Sequence, residues 1–504
     1  MLKVRSFGVL AVVALMAFTN PATGQEAPPP QLTLEDAVAT ARQNNPAFQV
    51  AQNQRGVRDW DVKSAYGSLI PTLSANAGVS WQQGGGAQQF AGGITSAQLG
   101  FVNQPSYYFS SYGLGLNYDL NGQTILQPGQ AKASRDATVA DIRTADANLV
   151  LGVTQAYLNV LLERERLRVA QEELERAEYN VRLSEGRRQV GSATIIDVQQ
   201  AEVAVGRAEV AILEASSARV AQRFELLRRL GVNLNQDVEL DSSPFELFEP
   251  DFEAEGLYGL ALDMNPALAA LQANRLASDY DVKIARSAYL PNLNVFASLA
   301  GFTQQAGSSD FLVAQGQASA QNQMQQCAAL NELFVRLADP LPTQDCNAFA
   351  FTDAQRAAIE DSNGSWPFSF TSQPARVGLT IQVPIFQGLG RQRNVEAASV
   401  QRSDMDHRIR EQELALQAEI GAGLARMTAA YQAALIEQRN QTLADEQLRL
   451  AREQYQLGFT SFVELVEAET VKAQADRELI AAVFGYHDNL ARLEAVVGTT
   501  LRNR

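Results

Sequence analysis

Residues 45–73, NPAFQVAQNQRGVRDWDVKSAYGSLIPTL, return at residues 265–293 as NPALAALQANRLASDYDVKIARSAYLPNL, at a constant offset of 220. Asn-Pro, the triplet Asp61-Val62-Lys63 (Asp281-Val282-Lys283) and Pro71 (Pro291) keep their places. A second echo starts at Val190-Gly191 and restarts at Leu457-Gly458, at an offset of 267; it carries Asp197, Ala201-Glu202, Ala208 and Gly231 onto Glu464, Ala468-Glu469, Ala475 and Gly498. Two echoes in the same order read as a duplicated half, and halves built alike can line one pore or barrel. The 47 extra residues of spacing are then an insertion in the second half.

Each half reads as helix, strand, strand, helix, helix. Leu34 to Ile70 is expected to be one helix, opened by Thr33 and stopped by Pro71. About 66 helix-favouring residues from Thr124 to Val190 carry an apolar seam in steps of three, four and seven, the mark of a coiled coil roughly 100 Å long. A return helix from Ile195 to Leu230 follows the turn at Gly191. The second half repeats the scheme with helices from about Gly256 to Leu290, Arg391 to Leu457 and Phe462 to Val497. The expected boundaries are 34–243 for the first repeat and 244–504 for the second.

Four segments alternate with period two: about 72–81, 112–120, 291–302 and 376–386. Leu73, Ala75, Ala77, Val79 and Trp81 are apolar between small or polar neighbours, and Val377, Leu379, Ile381, Val383 and Ile385 do the same. Phe296 and Ala300 blur the polar face of the third. Such strands suit a membrane barrel or a soluble sheet with one wet face. Four strands cannot close a barrel, so a membrane reading requires several chains in a ring. The Gly-, Ser-, Gln- and Asn-rich stretches joining the strands, 82–111 and 303–374, read as loops. Cys327 and Cys346 lie in the second, either bonded to each other or free.

Residues 1–24, with Lys3, Arg5, the apolar run Phe7 to Phe18 and small residues at Ala22-Thr23-Gly24, read as a secretory signal, and 25–33 as an extended leader. No later stretch has 18 uninterrupted apolar residues, so a membrane would be crossed by strands. A net charge of −15 leaves no basic stripe for nucleic acid. His407 and His487, the only histidines, have no spacing partner for a metal and read as exposed helical positions. No nucleophile and base pair up, and no Gly-rich phosphate loop opens a helix, so neither an enzyme nor a cofactor is expected.

The signal, the duplicated halves and the phrases Val190-Gly191-x-x-Thr194-x-x-Asp197-Val198 and Tyr455-x-Leu457-Gly458-x-x-Ser461-x-x-Glu464-Leu465 together resemble the outer-membrane efflux proteins, the TolC-type channels, over about residues 32–500. The resemblance implies a mainly α chain with membrane β. It implies a homotrimer whose twelve strands form one barrel in outer-membrane lipid, above a long periplasmic α-helical barrel. It further implies a passive exit duct for drugs, metals or proteins, opened when a periplasmic adaptor and an inner-membrane transporter dock at the helical tips. A periplasmic coiled-coil adaptor or scaffold is the alternative reading.

The candidate site lies at the two helical turns. Gly191 and Gly458, with Thr194 and Ser461, are either adaptor-docking tips or plain helix caps. Asp197, Glu464 and Glu467 are either rings of carboxylates that attract cations around a three-fold axis or solvated acids at helix starts. With Tyr455, the resemblance puts them at the periplasmic aperture. Some members carry an arginine after the second glycine that latches the aperture to a first-copy aspartate; this chain has Thr460 there, which leaves Arg187 or Arg188 as candidate replacements.

Overall fold

The computed structural model describes residues 32–85, 105–233, 239–242, 245–339, 341–364 and 366–502. The signal, most of the leader and most of the first strand-joining stretch lie outside these. In order, the elements are α1 (Leu34–Asn44), α2 (Pro46–Gly67), β1 (Thr72–Gln82), β2 (Tyr107–Leu120), α3 (Gly122–Gln189) and α4 (Ile195–Leu230). The second half has α5 (Ala254–Met264), α6 (Pro266–Ser287), β3 (Asn292–Ala306), α7 (Asp310–Val335), α8 (Asp353–Asn363), β4 (Thr371–Ser372), β5 (Arg376–Gln382), α9 (Gly390–Leu457) and α10 (Phe462–Val497). They divide into two compact units, one of Met1–Gln54, Val139–Ala270 and Ile409–Arg504, the other of Arg55–Thr138 and Leu271–Arg408.

In the first unit, the helices expected over Leu34–Ile70 and Gly256–Leu290 are each broken at an Asn-Pro step. Proline lacks an N–H and disfavours a helical residue before it, and Asn45 and Asn265 accordingly take extended ψ values of 118°. Each asparagine then does two things. Asn45 Oδ1 accepts from the Phe48 N–H, capping α2, while its Nδ2 donates to the Arg229 carbonyl at 2.7 Å. Asn265 repeats both bonds with Leu268 and with Val496, the latter at 2.8 Å. Gly231 and Gly498 sit against these joints at φ 71° and 84°, and a Cβ on either would strike the carbonyl of Asn44 or Met264. The two echoes therefore meet in space within each half.

Two cores lie beside these joints. The first gathers Val38 and Ala41 of α1, Tyr157 and Leu161 of α3, and Leu226, Leu227 and Leu230 of α4. The second gathers Leu257 and Ala261 of α5, Ile420 and Met427 of α9, and Tyr486, Leu490 and Leu493 of α10. Full burial of each large apolar side chain contributes about 1.5–3 kcal/mol. The buried tyrosines stay bonded: Tyr157 donates to the Leu32 and Asp241 carbonyls and Tyr486 to that of Phe248. Burial pushes both phenols up to about 12.

The second unit holds one antiparallel sheet in which β1 pairs β2, β2 pairs β3, and β3 pairs both β4 and β5. β2 begins at Tyr107 and β3 runs on to Ala306, both beyond the alternating stretches, because Tyr107–Ser110 pair with Thr303–Ala306. The fourth strand position is interrupted between Ser372 and Arg376, where Pro374 has no N–H to give and the register slips by one residue, a bulge. β5 stops at Gln382, short of the expected 386; Pro384 follows.

Register puts Leu73, Leu116, Ala297 and Val377 in one row and Ala75, Leu114 and Leu299 in the next, all on one face. That face is open: Leu73 is 76% exposed and Val377 78%. The opposite face is polar, with Asn294 donating to Asn117 and Asp119 across strands. Phe296, out of pattern on that face, covers Gly378, where a Cβ would meet its ring.

The expected loop 303–374 is instead largely structured. The Cys327–Cys346 disulfide and Asn331, whose side chain bonds both the N–H and the carbonyl of Gln344, tie α7 to the segment that follows it, and Asn363 at the end of α8 bonds both backbone groups of Ala306 at the end of β3.

Candidate functional site

The two turns share one backbone. Gly191 has φ 76° and Gly458 φ 85°. Each N–H returns to the carbonyl three residues back, Arg188 or Tyr455, and the following N–H, of Ser192 or Phe459, returns five back to Arg187 or Gln454. That is the Schellman pattern, which favours glycine at its left-handed position. A Cβ would meet open space at Gly191 and only the end of Arg187 at Gly458. Glycine is thus required by the backbone angle and not by crowding. Val190, Leu457 and Phe459 around the turns are all more than two-thirds exposed.

The starts of the return helices differ. Thr194 Oγ1 accepts from the Asp197 N–H at 3.3 Å and the Asp197 carboxylate accepts from the Thr194 N–H at 2.7 Å, a reciprocal capping box. At the second turn Ser461 accepts from the Glu464 N–H at 3.4 Å, and among the described residues the Glu464 carboxylate makes no return bond. Glu464 and Glu467 are exposed, three residues apart on one helix face.

Tyr455 is 3% exposed, packed with Leu448, Phe462, Leu465, Ala468 and Ala201. Its ring is a platform for Arg187, whose guanidinium lies 4.3 Å from the ring centroid and donates to the Ser192 carbonyl at 3.1 Å. Arg187 therefore ties the first turn to α9 without engaging Asp197.

Above this core runs a polar layer. Lys472 Nζ lies 2.6 Å from Asp476 Oδ1 and 3.5 Å from Asp445; Gln441 donates to Asp476 at 2.8 Å, and Arg176 of α3 stands 3.9 Å from it. Lys472 and Asp476 are buried. Two further links join the halves: Arg477 of α10 to Glu173 of α3 at 3.0 Å, and Gln456 of α9 to the Tyr179 hydroxyl at 3.0 Å. Burial raises the Glu469 carboxyl, opposed by bonds from Asn180 and Arg452. The sequence reading missed this layer; its signal was Lys472 and Asp476, an i, i+4 opposite-charge pair inside the apolar seam of α10. An open groove of about 660 Å³ lies alongside, lined by Ile196 and Val203, Val463 and Val466, and the charged Arg207, Glu173 and Arg477.

His487 corrects the reading of both histidines as exposed. It is 1% exposed, in edge-on contact with Phe245 and Tyr486, and burial followed by the nearby Arg502 charge lowers its pKa to about 4. His407 is exposed as expected. Among the described residues no group of three or more His, Cys, Asp or Glu could hold a metal, and no helix is long and apolar enough to cross a membrane.

The chain belongs to the Outer membrane efflux protein family, which it matches over residues 37–232 and 257–499. This is a family of transport proteins and not of enzymes, and it places the chain in the outer membrane. It is 30% identical over 248 residues to the pyoverdine export outer membrane protein OpmQ of Pseudomonas aeruginosa, 48% of this chain and 50% of that one. The matched stretch thus spans about half the length of that relative. Its fold is similar to that of CusC (TM-score 0.67, 16% identity, covering 95% of this chain and 96% of that one). It is equally similar to the CmeC outer membrane channel of Campylobacter jejuni (TM-score 0.67, 18% identity, 92% and 85%).

Proposed function

We propose that three copies of this chain form an exit duct that carries substrates from a periplasmic adaptor and an inner-membrane transporter to the outside. The observation that carries the reading is the sheet. Its apolar face is open, its two edge strands, β1 and β5, have no outer partner among the described residues, and four strand positions are too few to close a barrel. Three copies joined edge to edge supply twelve strands and bury every edge.

The tips are the gate. Gly191 and Gly458, with Thr194 and Ser461, present apolar ends to an adaptor. Glu464 and Glu467, exposed and without a partner among the described residues, become stacked carboxylate rings around the axis that favour cations. Asp197, engaged in its cap, serves the first tip as structure. Residues 1–24 direct export, and 34–243 and 244–504 are the two repeats. The name of OpmQ makes pyoverdine one cargo to assay.

Outer-membrane fractionation followed by electrophoresis of unheated samples tests the assembly: trimers that dissociate on heating are expected, and a soluble periplasmic monomer overturns the reading. In planar bilayers the trimer should conduct weakly, prefer cations and be blocked by multivalent cations.

A further inference from the structure

The segment that returns from α8 to β4 crosses the apolar face of the sheet. Trp366 packs on Tyr108 with ring centroids 5.4 Å apart, Phe370 meets Tyr112 edge-on at 5.0 Å, and the Tyr112 hydroxyl lies 3.4 Å from Ser372 Oγ. Register and alternation put Tyr108, Ser110 and Tyr112 on the face of Leu114 and Leu116, and Gly301 and Thr303 on that of Leu299. Between the two ring pairs, Ser110 and Thr303 are only 4% and 5% exposed. Phe368, between Trp366 and Phe370, turns the other way and is 82% exposed. On β1, Val79 and Trp81 of the same rows stay open.

Charge and height identify what lies on this side. α8 carries Asp353, Arg356, Glu360 and Asp361, and the next charged residue is Arg376, so the strap between them has none. The apolar face has none either: its positions from Leu73 to Trp81, Tyr108 to Leu120, Leu293 to Gln305 and Val377 to Ile381 are all uncharged. A tilted strand crosses a bilayer in about 9–11 residues. Counted from Leu293, which pairs with Leu120 and Ile381 at the end nearest the helices, Thr303 is the eleventh residue along β3. The strap therefore lies where the crossing ends. β2 and β3 are inner strands of the sheet, so a neighbouring copy joined at β1 or β5 does not sit over them.

We infer that residues 366–370 are a lipid anchor: the strap lies in the headgroup zone of the outer leaflet, against the outside of the barrel wall, and Phe368 enters the lipid. Aromatic rings gather at that level of a membrane barrel, and backbone without strand partners is tolerated there because water and headgroups remain within reach. The anchor rests on the outer-membrane barrel proposed above. To it the strap adds a membrane contact from the insertion, a segment that is no part of the barrel wall.

Phe368→Cys in the full chain, labelled with an environment-sensitive fluorophore and reconstituted in phospholipid vesicles, tests it beside Val377→Cys on the apolar face and Gln325→Cys on α7. Cys327 and Cys346 are bonded to each other, so the introduced thiol alone takes the label. The label at 368 should lose fluorescence to lipids brominated near the headgroup end of their chains and keep it against iodide on both sides of the bilayer; the label at 325 should do the reverse. Loss to iodide and not to lipid at 368, with lipid quenching at 377, overturns the anchor and leaves the sheet in the membrane. No lipid quenching at 377 overturns the membrane reading of the sheet and the anchor with it. Should the label at 368 prevent assembly, Phe368→Trp decides: its emission, taken as the difference from the unsubstituted chain, should be quenched by the same lipids, and an unquenched difference overturns the anchor.

Discussion

At the first tip the carboxylate nearest the turn, Asp197, is bound into a capping box with Thr194; at the second, Glu464 and its neighbour Glu467 point into water with no partner among the described residues. The backbones of the two turns are the same to within one pattern of hydrogen bonds. Duplication thus conserved the shape that an adaptor would meet and let the charge diverge. The turn shape belongs to both halves, the exposed carboxylates to the second.

The strongest way to break this comparison is to ask the four left-handed glycines to behave alike. Gly231→Ala and Gly498→Ala should abolish stable assembly, since backbone angle and a backbone carbonyl both oppose the new Cβ. Gly191→Ala and Gly458→Ala should cost only about 1–2 kcal/mol, the left-handed penalty alone. Thermal unfolding of the four variants, followed by circular dichroism, should separate them two against two.

Next comes the layer that holds the tips together. Lys472→Met should cost about 3–5 kcal/mol by stranding Asp476 and should raise basal conductance in bilayers. Pairing it with Asp476→Leu should recover most of the stability, and a double variant as unstable as the single one would show the layer to be more than an ion pair.

A smaller effect follows from His487. Its folded pKa is held near 4, below the ordinary 6.5, so its contribution is fully present above pH 6.5 and is lost as pH falls from 6.5 toward 4. The loss amounts to about 3 kcal/mol at one pKa unit per 1.36 kcal/mol. His487→Phe should flatten the stability profile in that window, read by melting temperature against pH.

The smallest changes sharpen the contrast most. Thr194→Ala should lower stability by about 1 kcal/mol and leave block by multivalent cations unchanged. Glu464→Gln with Glu467→Gln should do the reverse, weakening the block without moving the melting temperature.

Features decided by neighbours in sequence were legible. The return helices begin and end where the caps and Gly231 and Gly498 place them, because a cap or a left-handed glycine acts within one turn. Pro46 and Pro266 were as local, yet their breaks were missed, since helix-favouring residues continue on both sides. Residues 310–335 read as loop through their Ser, Gln and Asn, although Ala, Gln, Met and Leu favour the helix that forms there. Lys472 and Asp476 showed only as an opposite-charge pair four residues apart, and His487 not at all, for a different reason: their burial is set by helices far away in sequence, and polarity alone suggests water. The unpaired state of Glu464 likewise needed coordinates.

The clasping asparagines bear on the order of events. Asn45 reaches a carbonyl 184 residues later and Asn265 one 231 later, and neither bond crosses from one half to the other. Each half completes its clasp only when its own last helix has arrived. A chain delivered N-terminus first can therefore close the clasp of its first half while the second is still in transit, and the newcomer meets a closed joint instead of a tangle.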